Sequence, residues 1–344
     1  MSAAKTGEVV RLNRIDELRR NLDKETMSGV EIGPFYSPIV PKNAGWKTTV
    51  IDFQDGAALR AAARSHAAAS IRQSEDQIED VDIVWQGEPL DDLALARRPE
   101  GYDYFVASHV IEHTPDLISF LQQIERLLRP GGIVSMAVPD MRKCFDMYKP
   151  VSGLREVLTA YREKRTRHTP ETLLEARALS VNRNGAGAWL AGSDAPLTFA
   201  GNFDHAWQSY PDDVKGRDGS YVDAHAWFFT PASFKLLVLE LGYMGLLNLD
   251  IDSVVESRGA EFIVQMRVAP VREKLSLAEF NEQRLALSQQ QIEEVAAELV
   301  PQRVVEVPVP VQVQIPPPVQ STREVARLLA NRMKRKALSV LHMA

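Results

Sequence analysis

Cysteine is nearly missing from this chain: Cys144 stands alone among 344 residues. A disulfide framework and a cysteine-built zinc site are both excluded within one chain. There is no surplus of positive charge either. Forty Lys/Arg against forty-six Asp/Glu leave a net −6, so the chain as a whole does not attract nucleic acid, and no nucleic-acid partner is expected. The opening MSAAKTGEVVRLNRIDELRR lacks the apolar run of a signal peptide, and no stretch approaches the length of a membrane span. A cytoplasmic protein without a transmembrane segment is therefore expected. A glycine-rich phosphate loop is lacking too: Gly33 is followed by Pro34-Phe35-Tyr36-Ser37-Pro38. Cradling a pyrophosphate takes several close backbone N–H groups, so NAD- or ATP-dependent chemistry is disfavoured.

What is present is ordinary for a globular protein: 45% apolar and 25% charged residues. The length accommodates one large domain with a tail, or two domains. Helix periodicity appears over residues 14–21. Apolar stretches at 28–33, 47–53, 81–85 and 104–108 read as strands, with an alanine-rich helix at 59–69. The next helix has Thr114 as its expected cap, Pro115 in the first helical position and Asp116 at the positive end of the dipole. Leu117, Leu121, Ile124 and Leu128 share one face, and Pro130-Gly131-Gly132 ends it before a strand at 133–138. Such alternation argues for an α/β fold, a parallel sheet with helices on both faces.

The rhythm breaks at 141–226, a polar and aromatic insertion expected to fold as a cap, and returns with Thr230-Pro231, a helix and two strands (246–251 and 261–268). A cap over the ligand edge of the sheet would follow from its place, after the carboxyl end of a strand. The domain is expected to end near 270. Beyond it lie a helix at 276–300 opened by the Ser276-x-x-Glu279 capping box, a proline-rich linker at 301–320 and a basic helix to 344. That tail is open to docking a protein partner or an anionic membrane surface.

Two strand ends carry the first chemical signal. Gly33 closes VEIG and lets the backbone turn tightly. Asp52 closes VID nineteen residues later, placed to accept hydrogen bonds from two ribose hydroxyls. Glu31 is placed to reach the amino group of an amino-acid-like cofactor. S-adenosylmethionine has no phosphate and tolerates the degraded glycine loop. The blander reading, an acidic residue merely ending a buried strand, stays open.

The run GYDYFVASHVIEHTPDLISFLQQIERLLRPGGIVSMAVPD (101–140) resembles class I S-adenosylmethionine-dependent methyltransferases of the ubiquinone-biosynthesis-like group. Ser108-His109-x-x-Glu112-His113, Pro130-Gly131-Gly132 and Val138-Pro139-Asp140 carry the likeness. Joined to IEDVDIVWQGEPLDDL, it resembles a bacterial subgroup associated with glycosyltransferases and surface-glycan synthesis. The resemblance covers most of 28–268 and implies a Rossmann-like, seven-stranded, mostly parallel sheet with S-adenosyl-L-methionine as cofactor. It puts Glu31 and Gly33 at the methionine end, Asp52 at the ribose and Phe53 against the adenine. Gly87-Glu88 falls where the family often has Gly-Asp near the adenine amine, and Ser108 and His109 border the sulfonium.

Methyl transfer to a hydroxyl is an in-line displacement that needs alignment and loss of a proton. Histidine suits that task near neutral pH, which makes His109, His113, His205 and His225 the candidate bases. Each is equally open to a packing or capping role. Asp140, Asp204 and Asp223 are of a type that binds divalent metals, but no spacing supports a site and no metal is expected. The acceptor is expected to be a small molecule, most plausibly a sugar or glycan intermediate. A non-carbohydrate acceptor, or a non-catalytic scaffold working through its tail, are the alternatives.

Overall fold

The computed structural model describes residues 13–216, 221–257, 259–269 and 275–298. The expected proline-rich linker and basic helix lie outside them. In chain order the elements are α1 (Arg14–Leu18), β1 (Ser28–Ile32), β2 (Lys47–Asp52), α2 (Gly56–Ser65), α3 (Ala69–Arg72), β3 (Ile83–Val84), α4 (Leu90–Arg97) and β4 (Tyr102–Ser108). Then come α5 (Leu117–Leu127), β5 (Leu128–Pro139), α6 (Leu154–Glu163), α7 (Pro170–Ala178), β6 (Val181–Arg183), β7 (Leu197–Phe199) and α8 (Phe203–Val214). The last are α9 (Pro231–Tyr243), β8 (Leu249–Glu256), β9 (Glu261–Val268) and α10 (Leu277–Glu298). The principal sheet has seven strands in the order β3-β2-β1-β4-β5-β9-β8, and β6-β7 form a separate pair. β1 to β5 run parallel, and β9 enters antiparallel between β5 and β8. This is the expected Rossmann-like sheet.

Strand alternation sorts the core. Val30, Ile32, Phe105, Val134, Met136 and Phe262 pack on one face beneath α4, α5 and α9. Tyr104, Val106, Ile133, Ala137 and Ile263 face the other side, where Leu18 of α1 and the stretch around Ile39, Val40 and Trp46 cover them. Gly29 is obligatory here, because a Cβ would stand 2.0 Å from the ring of Tyr104. α5 inserts Leu117, Ile118, Phe120, Leu121, Ile124 and Leu127 into the larger core. Each such side chain contributes about 1.5–3 kcal/mol of burial.

The cap of α5 differs from expectation. Asp116, not Thr114, holds its N-terminus, accepting from Ser119 N at 3.0 Å. Thr114 instead donates its hydroxyl to Ile111 O at 2.8 Å, and Pro115 precedes the helix. Nor does Pro130-Gly131-Gly132 stop the helix. It sits within β5, where the pairing jumps from Tyr102↔Leu128 to Tyr104↔Ile133 and Gly131 takes φ +79°. The Thr230-Pro231 start of α9 is as expected, with Thr230 Oγ1 accepting from Ser233 N.

The insertion is sewn back to the sheet at its return. Asp140 bridges to Phe229, Met141 N donates to Phe229 O at 3.0 Å, and Ala226 N donates to Glu112 O at 2.7 Å. Trp227 Nε1 donates to Thr114 O at 2.6 Å. At the other end of the chain, α10 packs along α9 beyond the boundary expected near 270. Phe280 stacks on Tyr243 with ring centroids 3.8 Å apart, Arg284 pairs with Glu240 at 2.6 Å, and Glu294 accepts from Ala232 N at 2.9 Å.

Candidate active site

The carboxyl ends of β1, β2, β4 and β5 form one edge, and strand order reverses between β1 and β4. A crevice opens at such a switch point, where an open α/β sheet binds its ligand. Gly33 turns away from β1 at φ +64°, with the Val110 side chain 3.3 Å from where its Cβ would stand. A larger residue would be strained there and would press on the loop after β4. Asp52 ends β2 almost wholly buried. Burial pushes its carboxyl up to about 6, against the backbone N–H groups of Phe53, Gln54 and Phe35 that hold it down. The adjacent Phe53 leaves 65% of its surface exposed at the sheet edge. A buried acceptor beside a bare aromatic face fits a ribose and its attached base. Gly87, at φ +106°, has open space on its Cα, while Glu88 folds back to accept from Gln86 N at 3.0 Å.

Two of the residues expected at the cofactor are engaged with the protein itself. Glu31 is buried, and its two oxygens accept from Ile39 N at 2.6 Å and Val40 N at 3.0 Å. Burial raises its carboxyl to about 7 against those amides. Glu31 thus shapes the loop after Gly33. The reason is local: the loop returns to β1 and needs acceptors for its amides. Ser108 Oγ accepts from Arg14 Nη2 at 2.6 Å, and the same guanidinium pairs with Glu261 at 2.7 Å. It serves a brace between α1, β4 and β9.

Beyond β4 the chain enters a single turn of 3-10 helix, Ile111–His113. His109 takes φ +55°, a left-handed conformation that aims its ring back toward β9. Its Nε2 lies 2.9 Å from Glu261, and its Nδ1 lies 3.6 Å from Glu112 Oε1. Burial alone would lower the His109 imidazole, yet Glu112 and Glu261 raise it to about 9. His113 Nδ1 bonds Asp223 at 2.8 Å while its Nε2 stands 3.7 Å from Glu112. Burial opposes its charge too, and Asp223 and Glu112 raise it. His225 Nδ1 bonds the buried Asp146 at 2.7 Å, with Nε2 3.9 Å from Glu112. The rings of His113 and His225 meet edge to face, centroids 4.6 Å apart.

Three of the four candidate histidines thus surround one buried glutamate. The fourth does not: His205 is exposed on α8, its amide capped by Asn202. The carboxylates weighed for a metal are also scattered. Asp140 is buried in an ion-pair group with Arg142 at 2.6 Å and Lys143 at 3.1 Å, Asp204 is exposed, and Asp223 serves His113. Sequence reasoning passed over Glu112 as a site residue, and over Asp146 and Glu261 entirely.

A family model described as a methyltransferase domain matches residues 29–134, the stretch holding Gly33, Asp52 and the turn of Glu112. The chain carries a methyltransferase domain. Its methyl donor is S-adenosyl-L-methionine. No curated protein matches the chain. Among solved structures, one similar chain is a putative S-adenosylmethionine-dependent methyltransferase from Listeria monocytogenes, at 11% identity over 73% of this chain and 96% of that one, TM-score 0.35. Another is an S-adenosylmethionine-dependent methyltransferase from Mesorhizobium loti, at 12% identity over 74% and 98%, TM-score 0.35.

Proposed function

We propose that this enzyme O-methylates a sugar or glycan intermediate, in the cytoplasm, with Gly33, Asp52, Phe53 and Gly87 holding the donor. The group of His109, His113 and His225 around Glu112 activates the acceptor hydroxyl. That group carries the reading: it lies directly after β4, at the edge where the donor crevice opens, with imidazoles oriented by carboxylates behind them. A hydroxyl is a poor nucleophile until its proton is removed or withdrawn. The donor supplies an electrophilic methyl carbon, and the protein supplies alignment and this activation.

The acceptor class rests on the sequence resemblance and on a cavity that Pro115 and Ala226, from the two segments carrying the group, help to line. A space of about 220 Å³ lies between Pro115, Ser152, Arg167, His168, Thr169 and Trp227. Hydroxyls, a guanidinium and an indole in one wall suit a polyol better than an apolar substrate. Turnover of isotopically labelled donor against a panel of sugars and sugar nucleotides tests the reading. His113→Ala and His225→Ala should each lower turnover by about 10²–10⁴-fold and leave S-adenosylhomocysteine affinity near wild type, while His205→Ala matches wild type. Methylation confined to non-carbohydrate acceptors would overturn the sugar assignment. Near-normal rates in both histidine variants would remove the group from the chemistry.

A further inference from the structure

Glu112 is an electrostatic anomaly. Its side chain is 1% exposed, and among the described residues neither carboxylate oxygen has a hydrogen-bond partner. A bare buried carboxylate costs several kcal/mol unless it is paired or binds an ion. Around it stand three imidazole nitrogens at 3.6, 3.7 and 3.9 Å, too far to donate hydrogen bonds. We infer that Glu112, His113 and His225 form a binding site for a divalent transition-metal ion of the zinc class, with His109 beside it as a further donor.

Three observations carry this. First, one ligand atom from each of Glu112, His113 and His225 falls within 4.8 Å of the others. Ligands about 2.0–2.2 Å from a common ion stand roughly 3–4 Å apart, so a small inward shift closes the shell. Second, each imidazole has a carboxylate on its far nitrogen: His113 on Asp223, His225 on Asp146, His109 on Glu261. With a cation in place of the inner proton, such partners keep the remaining proton on the outer nitrogen, so that the inner one presents a lone pair, as metal-ligating histidines do. Third, the donors come from two segments locked to each other, Ala226 N to Glu112 O and Trp227 Nε1 to Thr114 O, so the shell is held before any ion arrives. Two imidazoles and a carboxylate are the donors of a catalytic zinc site and leave a coordination position open. Magnesium, which demands oxygen ligands, fits poorly.

The inference deepens the proposed function. An ion here would bind the acceptor hydroxyl and lower its pKa, with the histidines acting as ligands rather than free bases. The ion-site test does not require an acceptor. The full-length protein, stripped with a chelator, is titrated with Zn²⁺ by calorimetry and with Co²⁺ by visible absorption. One equivalent should bind, with a cobalt d–d band reporting an imidazole-containing shell. Glu112→Gln and His225→Ala should weaken binding at least 100-fold and change the band. Asp223→Asn, in an exposed position least prone to unfold the protein, should weaken it about 10–100-fold by freeing the His113 ring. His205→Ala, outside the group, should bind as wild type. No stoichiometric binding by wild type, or binding indifferent to both Glu112→Gln and Asp223→Asn, overturns the site. Stoichiometric zinc with no sugar methylation would fell the functional reading alone. Sugar methylation by a protein that binds no ion would fell only the metal.

Discussion

Asp52 illustrates how much one side chain can decide. Its carboxyl sits at about 6 because burial outweighs the three amides that face it. Ribose hydroxyls donating to it would favour the ionised form, so binding must release the proton wherever the free protein holds one. S-adenosylhomocysteine affinity should therefore be flat above pH 7 and fall by about tenfold per pH unit below about 6. Asp52→Asn should abolish that slope, which also separates it from Glu31, titrating near 7. Asp52→Ala should lose roughly 1.5–3 kcal/mol, one to two orders of magnitude in affinity. Calorimetry from pH 5 to 8 on the three proteins checks this. For the free fold the sign is reversed from the usual carboxylate. A folded-state value above the ordinary 3.8 means the native protein holds the proton longer, so this group's contribution to stability declines as pH rises from about 4 to 6.

Residue identity alone was a good guide where the constraint was local. The strand-end positions of Gly33 and Asp52 were legible because a turn residue or an acid closing an apolar run is a short-range pattern. Glu31 was legible as an acid near a strand end, but its hydrogen bonds were not, since the amides of Ile39 and Val40 belong to a loop whose path the sequence does not announce. The carboxylates behind the histidines were not legible at all. They lie 79, 110 and 152 residues away from their imidazoles, and nothing in spacing or periodicity marks such pairs.

At the scale of elements, the errors cluster where two signals compete. Thr114-Pro115 and Asp116 are both competent to open α5. Asp116 wins because Thr114 is committed to the preceding turn, whose carbonyl it bonds. Pro130-Gly131-Gly132 reads as a helix stop, but Leu127 has already ended the helix and the glycines absorb a slip in pairing. The alternation of long apolar segments, by contrast, placed every strand of the main sheet.

α10 is an element whose existence was legible and whose attachment was not. Its stacked Phe280, its Arg284–Glu240 pair and the Glu294 carboxylate at the positive end of α9 tie it to the fold. A chain ending at 270 should lose on the order of 2–3 kcal/mol and melt about 5–10 °C lower, whereas one ending at 302 should melt like the full chain. Thermal unfolding of the two truncations decides it. Equal melting temperatures would mean that α10 adds nothing to the fold.

For the whole molecule, the sheet order brings together groups that the chain separates widely. The proposed donor crevice uses β1 and β2, the histidine turn follows β4, and His225 arrives from the return of the insertion. Glu261, at the start of β9, then clamps His109 and Arg14 from the far side of β5. Because β9 slots between β5 and β8, this edge of the sheet cannot be finished strand by strand as the polypeptide leaves the ribosome. A nascent chain that has already made the crevice, the turn and the cap still lacks the carboxylate that holds His109 and the N-terminal arginine. The brace on His109 and Arg14 is completed only when Glu261 emerges, after nearly the whole domain has been made.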